Sequence, residues 1–480
     1  MKTHTLPSDY LEKRFPHEPT PGQLQFFAQM DRFLLDDDPF ADLVFLLKGY
    51  AGTGKTTLIG ILIKVLKHFG WKAVLLAPTG RAAKVMTQYS NKKSLTIHKK
   101  IYRQVSNPYT GNLEFKRQDN PHTQTLFIVD EASMISDDME FGTNGLLTDL
   151  IEFVFTSGKE EDPRNKLMFV GDTAQLPPVG KNISPALDAD YLRSHFHIGV
   201  AQQELTEVMR QAALSGILFN ATNLRDLLRT PSDELVDIRF KTKGYRDIYK
   251  MGSDRLEDGI HYAYRKFERE NCIIVTRSNK NAVLYNRYIR QRILEQEDEL
   301  NTNDLLMIVR NNYHWLDEES AAGFLANGEF VEVKRIRRTE ELYGFRFATV
   351  VLKLIDYPEQ EEFEAKIILD TLYSDTASLS REQNRNLYEA IQEEYMHIVS
   401  KRERNEAMRK DPYLNALQVK FAYALTCHKS QGGQWSAVFV DQGFLTEDQI
   451  NQEFVRWLYT AITRATDEVF LLNFHQKFFE

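Results

Sequence analysis

The segment GYAGTGKTT, at positions 49–57, constrains the fold of this chain more than any other stretch. It continues the apolar run LVFLLKG and precedes TLIGILIKVLKHFG, in which apolar residues recur at helical spacing. A strand that turns through glycines into a helix is typical of a phosphate-binding loop, because glycines allow successive backbone N–H groups to point at phosphate oxygens. Gly49, Gly54, Lys55 and Thr56 occupy the four fixed positions of that motif. The sequence therefore predicts a nucleotide-phosphate site at the end of a buried strand.

The residue types in this loop predict how a nucleotide is held. The Lys55 ammonium is expected to reach the β- and γ-phosphates, and the Thr56 hydroxyl is expected to ligate Mg²⁺. The helix after the loop would point its N-terminus at the phosphates. The residues of the loop predicted to bind the nucleotide are Gly49, Gly52, Thr53, Gly54, Lys55, Thr56 and Thr57.

Two further apolar runs end in polar side chains that suit phosphoryl transfer. TLFIVDEAS places Asp130 and Glu131 after a buried strand, expected next to the phosphate loop because ligands bind outside the carboxyl ends of parallel strands. We expect Asp130 to hold Mg²⁺ and Glu131 to activate the attacking water. VGDTAQLPPVG places Gln175 just past another strand, within reach of the γ-phosphate or that water. For each segment alone, a strand end without chemistry stays an open alternative.

The apolar pattern predicts two α/β domains. LVFLLKG, AVLLAP, LFIVD and KLMFVG form one set of continuous apolar runs, and NCIIVTR, VKFAYALT, WSAVFVD and EVFLLNF form a second. Such runs, separated by helical segments, indicate parallel sheets buried on both faces. Residues 101–121 carry a turn signal between β-prone runs and predict a hairpin. Residues 313–417 begin with strand-like runs that fit a small barrel and continue as a charge-dense helical stretch.

The length of the chain fits this division. With 480 residues it exceeds the roughly 250–300 residues at which single cores stop growing. The predicted first domain comprises 1–100 and 122–195 with the hairpin 101–121 inserted, and the predicted second domain comprises 196–312 and 418–480 with the barrel and helical extension 313–417 inserted.

Composition limits the environment and the partners. Cys272 and Cys427 are the two cysteines and lie far apart, so neither a disulfide framework nor a zinc site is expected. No apolar run approaches the ~20 residues of a membrane span, and the N-terminus lacks the apolar stretch of a signal peptide. We therefore expect a cytoplasmic protein without membrane contact. The net charge of −8 argues against blanket attachment to nucleic acid, so any such contact is expected in a local groove.

The order of the motifs resembles that of the superfamily 1 helicases. After the phosphate loop, DEAS and GDTAQLPPVG, the segments APTGRAA, LTEVMRQ, LTCHKSQGGQW and LYTAITRAT resemble motifs Ia, IV, V and VI. TIHK resembles the strand-contacting segment after motif Ia, and TPGQ resembles the glutamine motif. The texts T-x-H-K-x-Q-G and Y-T-A-[IL]-T-R-A are similar to those of subgroup 1B, the RecD/Dda/Pif group of DNA helicases. The resemblance covers nearly the whole chain and implies two RecA-like domains, a pin hairpin in the first and an SH3-like barrel with a helical extension in the second.

The resemblance implies ATP and Mg²⁺ as cofactors and assigns further residues to the nucleotide. Gln23 would bind adenine, and Gln175 would sense the γ-phosphate. Arg210 and Arg464 would be arginine fingers that stabilise charge on the transferring phosphoryl group. Where motif V of the family usually carries Glu after its glycines, this chain has Gln434, which can accept a hydrogen bond from the ribose but has no charge.

The resemblance also implies a single-strand-binding surface shared by both domains. Hydroxyls, amides and backbone N–H groups are suited to contact phosphate and sugar without reading sequence. The residues implied in strand binding are Thr79, Gly80, Arg81, Thr96 and His98 in the first domain and Thr426, His428, Lys429, Ser430 and Gln431 in the second.

Together these features predict an ATP-dependent DNA helicase. The resemblance implies a monomer that moves 5′ to 3′ on single-stranded DNA, binds junctions of single and double strands, and separates duplex DNA. The alternative is a nucleic-acid-stimulated ATPase that acts as a binding switch or remodeller, on DNA or RNA, without processive unwinding. Polarity and the choice between DNA and RNA do not follow from the spacing of the residues.

Overall fold

The computed structural model describes residues 6–36, 43–106, 113–138, 144–156, 164–208, 215–229, 237–317, 320 and 322–480. The helices in these ranges are α1 (Pro7–Arg14), α2 (Pro21–Leu35), α3 (Lys55–Leu66), α4 (Gly80–Ser90), α5 (Ile97–Ile101), α6 (Leu146–Phe155), α7 (Ala189–Phe196), α8 (Gly216–Arg229), α9 (Leu256–Phe267), α10 (Asn279–Tyr288), α11 (Arg381–Glu394), α12 (Lys401–Arg409), α13 (Cys427–Ser430) and α14 (Gln452–Ile462). Among the residues described, no helix is both long and apolar enough to cross a lipid bilayer.

The strands of the described ranges form two parallel sheets, one closed barrel and one two-stranded hairpin. They are β1 (Val44–Gly49), β2 (Lys72–Ala77), β3 (Ser94–Thr96), β4 (Tyr102–Ser106), β5 (Leu113–Arg117), β6 (Thr125–Val129), β7 (Lys166–Gly171), β8 (Val200–Leu205), β9 (Ile248–Met251), β10 (Cys272–Thr276), β11 (Leu305–Ile308), β12 (Phe330–Leu342), β13 (Phe345–Leu354), β14 (Phe363–Ile368), β15 (Leu417–Phe421), β16 (Ala424–Thr426), β17 (Trp435–Asp441) and β18 (Ala465–Leu472).

The first sheet is parallel throughout, with strand order β3-β2-β6-β7-β1-β8. Successive residues of β1 belong to two different hydrophobic cores. Phe45 packs in one core with Leu58 of α3, and Leu46 packs in the other with Leu150 of α6. Because neighbouring side chains of a strand point to opposite faces, helices must cover both sides of this sheet. This confirms the predicted α/β domain.

The predicted boundary at residue 195 is wrong, because β8 belongs to the first sheet. β8 pairs in parallel with β1, from Val44 opposite Val200 to Gly49 opposite Leu205. Its sequence, VAQQEL, alternates between buried and more exposed residues, unlike the continuous apolar runs that marked the other strands. As an edge strand with one face in the core, it needs fewer apolar residues, and its sequence gave no signal of a buried parallel strand.

The second sheet is also parallel, with strand order β16-β10-β17-β18-β9. β10 and β17 are almost wholly buried, as the runs NCIIVTR and WSAVFVD predict. α14 contributes a buried face that includes Val455, Leu458 and Ile462. The chain thus contains two separate parallel sheets, which confirms the predicted pair of RecA-like domains.

Five strands, β11 to β15, close into a small barrel, which confirms the predicted barrel but not its limits. The predicted insertion, 313–417, leaves out β11 and most of β15, which pair antiparallel to each other. The run VKFAYALT, predicted to be a strand of the second domain, contains the end of β15 and all of β16, which belong to different sheets. An apolar run alone carries no signal of the sheet to which each half belongs.

Buried hydrogen bonds fix the bend between β15 and β16. The Tyr423 hydroxyl donates to Asp304 Oδ1 at 2.9 Å and accepts from the backbone N–H of Leu305 at 3.1 Å. Asp304 in turn forms a buried ion pair with Arg290 at 3.0 Å. Asn286 Oδ1 accepts from the backbone N–H groups of Tyr423 and Ala424. These hydrogen bonds therefore attach the barrel to the second domain where the chain passes from β15 to β16.

Both predicted insertions have the expected secondary structure where they are described. β4 and β5 pair antiparallel, from Tyr102 opposite Arg117 to Ser106 opposite Leu113, as the hairpin prediction requires. The predicted turn of this hairpin, Asn107–Asn112, lies outside the described residues. α11 and α12 form the charged helical extension and pack a few apolar residues, including Leu387 and Met408, against the barrel.

Candidate nucleotide and strand-binding site

The phosphate loop connects β1 to α3 in a conformation that only glycine adopts without strain at two positions. Gly52 and Gly54 have φ values of +76° and +86°. A Cβ added at Gly49 would lie 2.9 Å from Thr53 Oγ1, so the start of the loop also excludes a side chain. Lys55 Nζ donates to the carbonyls of Gly49 and Tyr50 at 2.6 and 2.9 Å. The loop thus has the small residues, the turn and the inward lysine that fit nucleotide phosphates.

The acidic pair follows β6, but one strand farther from the phosphate loop than expected. β7 lies between β6 and β1, so one strand separates the acidic pair from the strand that leads into the loop, and the positive charge of Lys55 still opposes the rise in the pKa of Glu131. Strand order in a doubly wound sheet is not encoded in the order of motifs along the chain. Asp130 accepts from the Tyr89 hydroxyl at 2.7 Å and from the Glu131 backbone N–H at 2.8 Å. Glu131 has a left-handed backbone, with φ of +52°.

The intervening strand, β7, carries Asp172 and Gln175 just beyond its end. Gln175 is buried, and its Oε1 has no hydrogen-bond partner among the described residues. A buried amide oxygen without a partner is uncommon and fits a group that accepts from a bound ligand or water. Asp172 is buried as well and accepts from the Ala174 backbone N–H at 2.9 Å. The carboxyl ends of β1, β6 and β7 together therefore form one polar pocket edge.

The second domain completes this site through α14. The Tyr459 hydroxyl donates to Asp172 Oδ2 at 2.5 Å and accepts from the Ala51 N–H of the phosphate loop at 2.8 Å. Thr460 Oγ1 accepts from the Leu176 N–H at 2.8 Å, and Arg456 donates to the Thr173 carbonyl. Sequence reasoning missed these residues. Tyr459 stands in the quoted segment LYTAITRAT, but nothing in the sequence shows that its hydroxyl reaches the other domain.

Arg464, a predicted arginine finger, lies across the cleft from Glu131. Its Nη1 is 3.8 Å from Glu131 Oε1, and only 3% of the residue is exposed. The guanidinium donates hydrogen bonds to the carbonyls of Thr460 and Gly433, and these bonds hold it in place. The second predicted finger, Arg210, lies outside the described residues. The structure therefore brings one predicted finger close to the carboxylate that is predicted to be catalytic.

Burial controls the protonation of both carboxylates in the cleft. Burial raises the pKa of Glu131, and the Arg464 guanidinium opposes this rise. Burial also raises the pKa of Asp172, and the positive charge of Lys55 opposes it. A carboxylate with a raised pKa is a stronger proton acceptor once ionised, which suits Glu131 to the role of a general base.

Of the remaining predicted nucleotide residues, Gln23 contacts the phosphate loop, Thr56 and Thr57 begin α3, and Gln434 contacts Arg81 through its carbonyl. Gln23 is fully buried; its Nε2 donates to the Thr53 carbonyl at 3.0 Å, and its Oε1 accepts from Thr20 N–H as part of the cap of α2. Thr56 is exposed and Thr57 is half-buried at the start of α3. Gln434 has an exposed side chain. The contacts of these residues with adenine, Mg²⁺ and ribose stay predictions.

In the first domain, the predicted strand-binding residues make contacts within the protein. The Thr79 and Thr96 hydroxyls accept from the backbone N–H groups at the starts of α4 and α5. Thr96 is fully buried, so the prediction that its side chain contacts the strand is wrong in this structure. Gly80 is covered by Glu329 of the barrel. His98 is half-buried, and burial lowers its pKa to about 4, so that it is neutral at pH 7.

Arg81 lies where the first domain, the barrel and the second domain meet. Its guanidinium carbon is 4.6 Å from the centre of the Phe330 ring and 4.2 Å from that of Trp435. Its Nη2 donates to the Gln434 carbonyl at 3.4 Å. Burial lowers the pKa of Arg81. The structure therefore uses Arg81 as a contact between domains, and its predicted contact with DNA stays a prediction.

In motif V, the predicted residues divide into an accessible and a buried group. Thr426 and Lys429 are half-buried and His428 is exposed, so all three can reach a ligand. Ser430 is fully buried and donates to the Cys427 carbonyl at 2.8 Å, and Gln431 donates to the Leu176 carbonyl of the first domain at 2.7 Å. The prediction that the Ser430 and Gln431 side chains contact the strand is wrong in this structure, because both are occupied inside the protein.

Two family models match the chain. The AAA domain matches residues 40–227, which contain the phosphate loop, the acidic pair and the first sheet. The UvrD-like helicase C-terminal domain matches residues 421–472, which contain motif V, α14 and Arg464. The two matches thus cover the two halves of the cleft.

Several proteins are similar to this chain. An uncharacterised protein of Acanthamoeba polyphaga mimivirus is 26% identical and covers 89% of this chain and 94% of its own length. The ATP-dependent DNA helicase dda of Enterobacteria phage T4 is 27% identical over 55% of both chains. The ATP-dependent RecD2 DNA helicase of Deinococcus radiodurans is 30% identical over 37% of this chain and 21% of its own. This chain therefore matches about half of the first helicase and a fifth of the second.

A solved structure of Pif1 helicase from Bacteroides, in complex with ADP-AlF3 and single-stranded DNA, is 17% identical; the match covers 97% of this chain and 95% of that chain with a TM-score of 0.47. The fold and the cleft of the present chain define a P-loop NTPase whose nucleotide site is completed by a second α/β domain. The two family matches, the dda and RecD2 relatives and the order of the motifs support the assignment of this chain to superfamily 1B of the helicases, as an ATP-dependent enzyme.

Proposed function

We propose that this protein is a DNA helicase that moves 5′ to 3′ on single-stranded DNA as a monomer and separates duplex DNA at junctions. The observation that carries the proposal is the shared cleft: Tyr459 and Arg464 of the second domain contact Ala51, Asp172 and Glu131 of the first. A nucleotide site built by two domains responds to their separation. The names of the dda and RecD2 relatives support DNA as the substrate.

The residues of the cleft fit ATP with Mg²⁺. Lys55 and the loop glycines would hold the phosphates, and Thr56 and Asp130 would hold the metal ion. Bound Mg²⁺ would supply neutralisation of the charge on the β- and γ-phosphates. The orphaned Oε1 of Gln175 is an observation of this structure that fits such a ligand.

The chain's own residues then carry the proton and charge chemistry. Glu131, once ionised, accepts a proton from the attacking water, and Gln175 orients that water. Arg464 stabilises the charge on the transferring phosphoryl group from the second domain, with Arg210 proposed as its partner. Since Arg464 is anchored to the backbone of α14 and motif V, movement of the second domain moves the finger.

Motif V links this cleft to the strand-binding surface. Gln431 contacts the Leu176 carbonyl, which follows the catalytic Gln175, while Gly432 lies against Thr79 and Ala82 of motif Ia. A Cβ added at Gly432 would lie 2.9 Å from the Ala82 Cβ, so the two loops are in close contact. A change of domain separation at the nucleotide therefore shifts motif V relative to motif Ia, which is the movement needed to advance along a strand.

Strand displacement tests the proposal. Duplexes with a 5′ or a 3′ single-stranded tail, made of DNA or RNA, are incubated with the protein with and without ATP. We expect ATP-dependent separation of the 5′-tailed DNA duplex and little separation of the 3′-tailed one. Separation of only the 3′-tailed duplex would overturn the polarity. ATP hydrolysis stimulated by single strands without separation of any duplex would instead support a binding switch or remodeller.

A further inference from the structure

A notch between the barrel and the second domain is lined by two lysines and by no carboxylate among the described residues. Lys420 comes from β15 of the barrel, and Lys429 comes from α13 in motif V. The polar residues beside them are Thr426 at the end of β16, Asn279 and Asn286 of α10, and Ser374. Lys429 and Thr426 belong to the predicted strand-binding residues, whereas Lys420 does not.

The charges in this notch are not neutralised within the described protein. Lys420 donates to the Ser374 carbonyl but has no carboxylate within ion-pair distance, and Lys429 has neither a hydrogen bond nor an ion pair among the described residues. The Thr426 hydroxyl does not cap α13, although Thr426 is its N-cap residue. Two cations and a free hydroxyl on three neighbouring segments are the donor set that a phosphate group accepts from.

The pKa values of both lysines are lower than that of an exposed lysine. Burial lowers the pKa of Lys429 to about 8. Burial also lowers the pKa of Lys420 to about 8; the Lys429 charge adds to this decrease, and Asp375 opposes it. Among the residues that line the notch in the described chain, Lys420 and Lys429 are the titratable ones. A phosphate placed between two such cations would be attracted by both.

We propose that Lys420 binds a backbone phosphate of the single strand together with Lys429 and Thr426, so that one strand of the barrel belongs to the DNA-binding surface. The inference rests on the proposed function, and it adds a residue outside the helicase motifs. It also gives the barrel a direct part in holding the strand, next to motif V.

The salt dependence of binding tests the inference. For single strands, each phosphate contact adds about 0.7 to the slope of log affinity against log salt concentration. Labelled oligothymidine is titrated with the full-length protein by fluorescence anisotropy at several salt concentrations, without nucleotide. We expect Lys420→Gln to reduce the slope by about 0.7 and to weaken binding at low salt. Lys353→Gln, at a half-buried lysine on β13 of the barrel, is the matched control and leaves the slope unchanged.

A second variant protects the test against misfolding. Lys420→Arg keeps the positive charge above pH 8, whereas the charge of Lys420 is lost as the pH rises through about 8. The affinity of the unchanged protein is expected to fall between pH 7 and pH 9, and that of Lys420→Arg is expected to fall less. If the unchanged protein binds and unwinds DNA but Lys420→Gln keeps its full slope, or Lys420→Arg keeps the full pH dependence, the inference is overturned while the proposed function stands. If the unchanged protein does not bind oligothymidine at any salt concentration, both are overturned.

Discussion

The two α/β domains each contain a parallel sheet, but they contribute different side chains to the cleft between them. In the first domain, the segments that follow the carboxyl ends of β1, β6 and β7 carry Lys55, Glu131 and Gln175, the residues predicted to be catalytic. In the second domain, the contacts with the nucleotide site come from α14 and the residues after it, through Tyr459 and Arg464. In the proposed mechanism, the first domain holds the nucleotide. The position of the second domain determines whether Tyr459 and Arg464 reach that nucleotide.

We expect the largest effect from a substitution in the phosphate loop of the first domain. Lys55→Ala removes the ammonium that lies inside the phosphate loop, and ATP hydrolysis is expected to fall by at least about 100-fold, since single charged or hydrogen-bonding groups at a transition state contribute on that order. Binding of single-stranded DNA should persist, because none of the residues predicted to contact the strand lies in the loop. Steady-state phosphate release and anisotropy are measured side by side.

Lys48→Ala is the matched control for this change. Lys48 lies on β1, the strand that leads into the phosphate loop, and its side chain donates to Gln202 on the neighbouring strand and not into the loop. Its loss should leave hydrolysis within about twofold of the unchanged protein, since surface substitutions have small effects. Equal loss of activity in both variants would mean that this end of β1 is merely sensitive to mutation.

The next largest effect is expected from breaking the second domain's side. Arg464→Lys keeps a positive charge but loses the planar guanidinium, and an arginine finger is worth about 10³–10⁵ in rate. We expect kcat to fall by about 1000-fold with little change in ATP affinity. The measurement is a single-turnover hydrolysis assay. A loss confined to ATP binding would show that Arg464 serves the ground state and not the transferring phosphoryl group.

A smaller effect is expected from loosening the contact between the two sides. Tyr459→Phe removes the hydroxyl shared by Asp172 and the Ala51 N–H, and leaving a buried group without its partner costs about 1–3 kcal/mol. We expect hydrolysis to slow by about tenfold and stimulation by single strands to weaken. Tyr388→Phe, on the exposed face of the helical extension, is the control and should change neither. Slower hydrolysis with unchanged stimulation would mean that Tyr459 does not couple the domains.

The smallest effect concerns pH and the pair formed by Glu131 and Arg464. Since burial raises the pKa of Glu131, the base is protonated at a higher pH than an ordinary carboxylate, and the acid limb of kcat should lie above the usual carboxylate range. Arg464 opposes that rise, so Arg464→Ala should move the acid limb to still higher pH. A pH profile of the residual rate measures this. An acid limb that does not move would show that the two charges do not interact at a distance of 3.8 Å.

The two sheets and the barrel could be predicted from the sequence because each leaves a local pattern, whereas the catalytic roles of the site residues stay predictions. Continuous apolar runs mark buried parallel strands, and the glycines around Lys55 mark a phosphate loop. β8 was missed because an edge strand with polar residues lacks that pattern, and the run containing Phe421 and Ala424 was assigned to one sheet because a bend leaves no apolar signal.

The contacts between domains could not be predicted, because they depend on three-dimensional position. Thr96, Ser430 and Gln431 have polar side chains that suit DNA, but the structure uses them for a helix cap, an internal hydrogen bond and a contact between domains. Tyr459 is the reverse case. The sequence assigns it no role, but in the structure its hydroxyl contacts Ala51 and Asp172 of the first domain. Residue type alone does not separate these uses.

We propose that ATP hydrolysis in the nucleotide cleft is coupled to strand binding through motif V. The most direct test of this coupling is the rate of ATP hydrolysis by the unchanged protein with and without saturating oligothymidine. We expect the single strand to raise the rate of ATP hydrolysis by at least about tenfold, which corresponds to about 1.4 kcal/mol of coupling between the sites. Equal rates with and without the single strand, under conditions where anisotropy shows that the strand is bound, would contradict it.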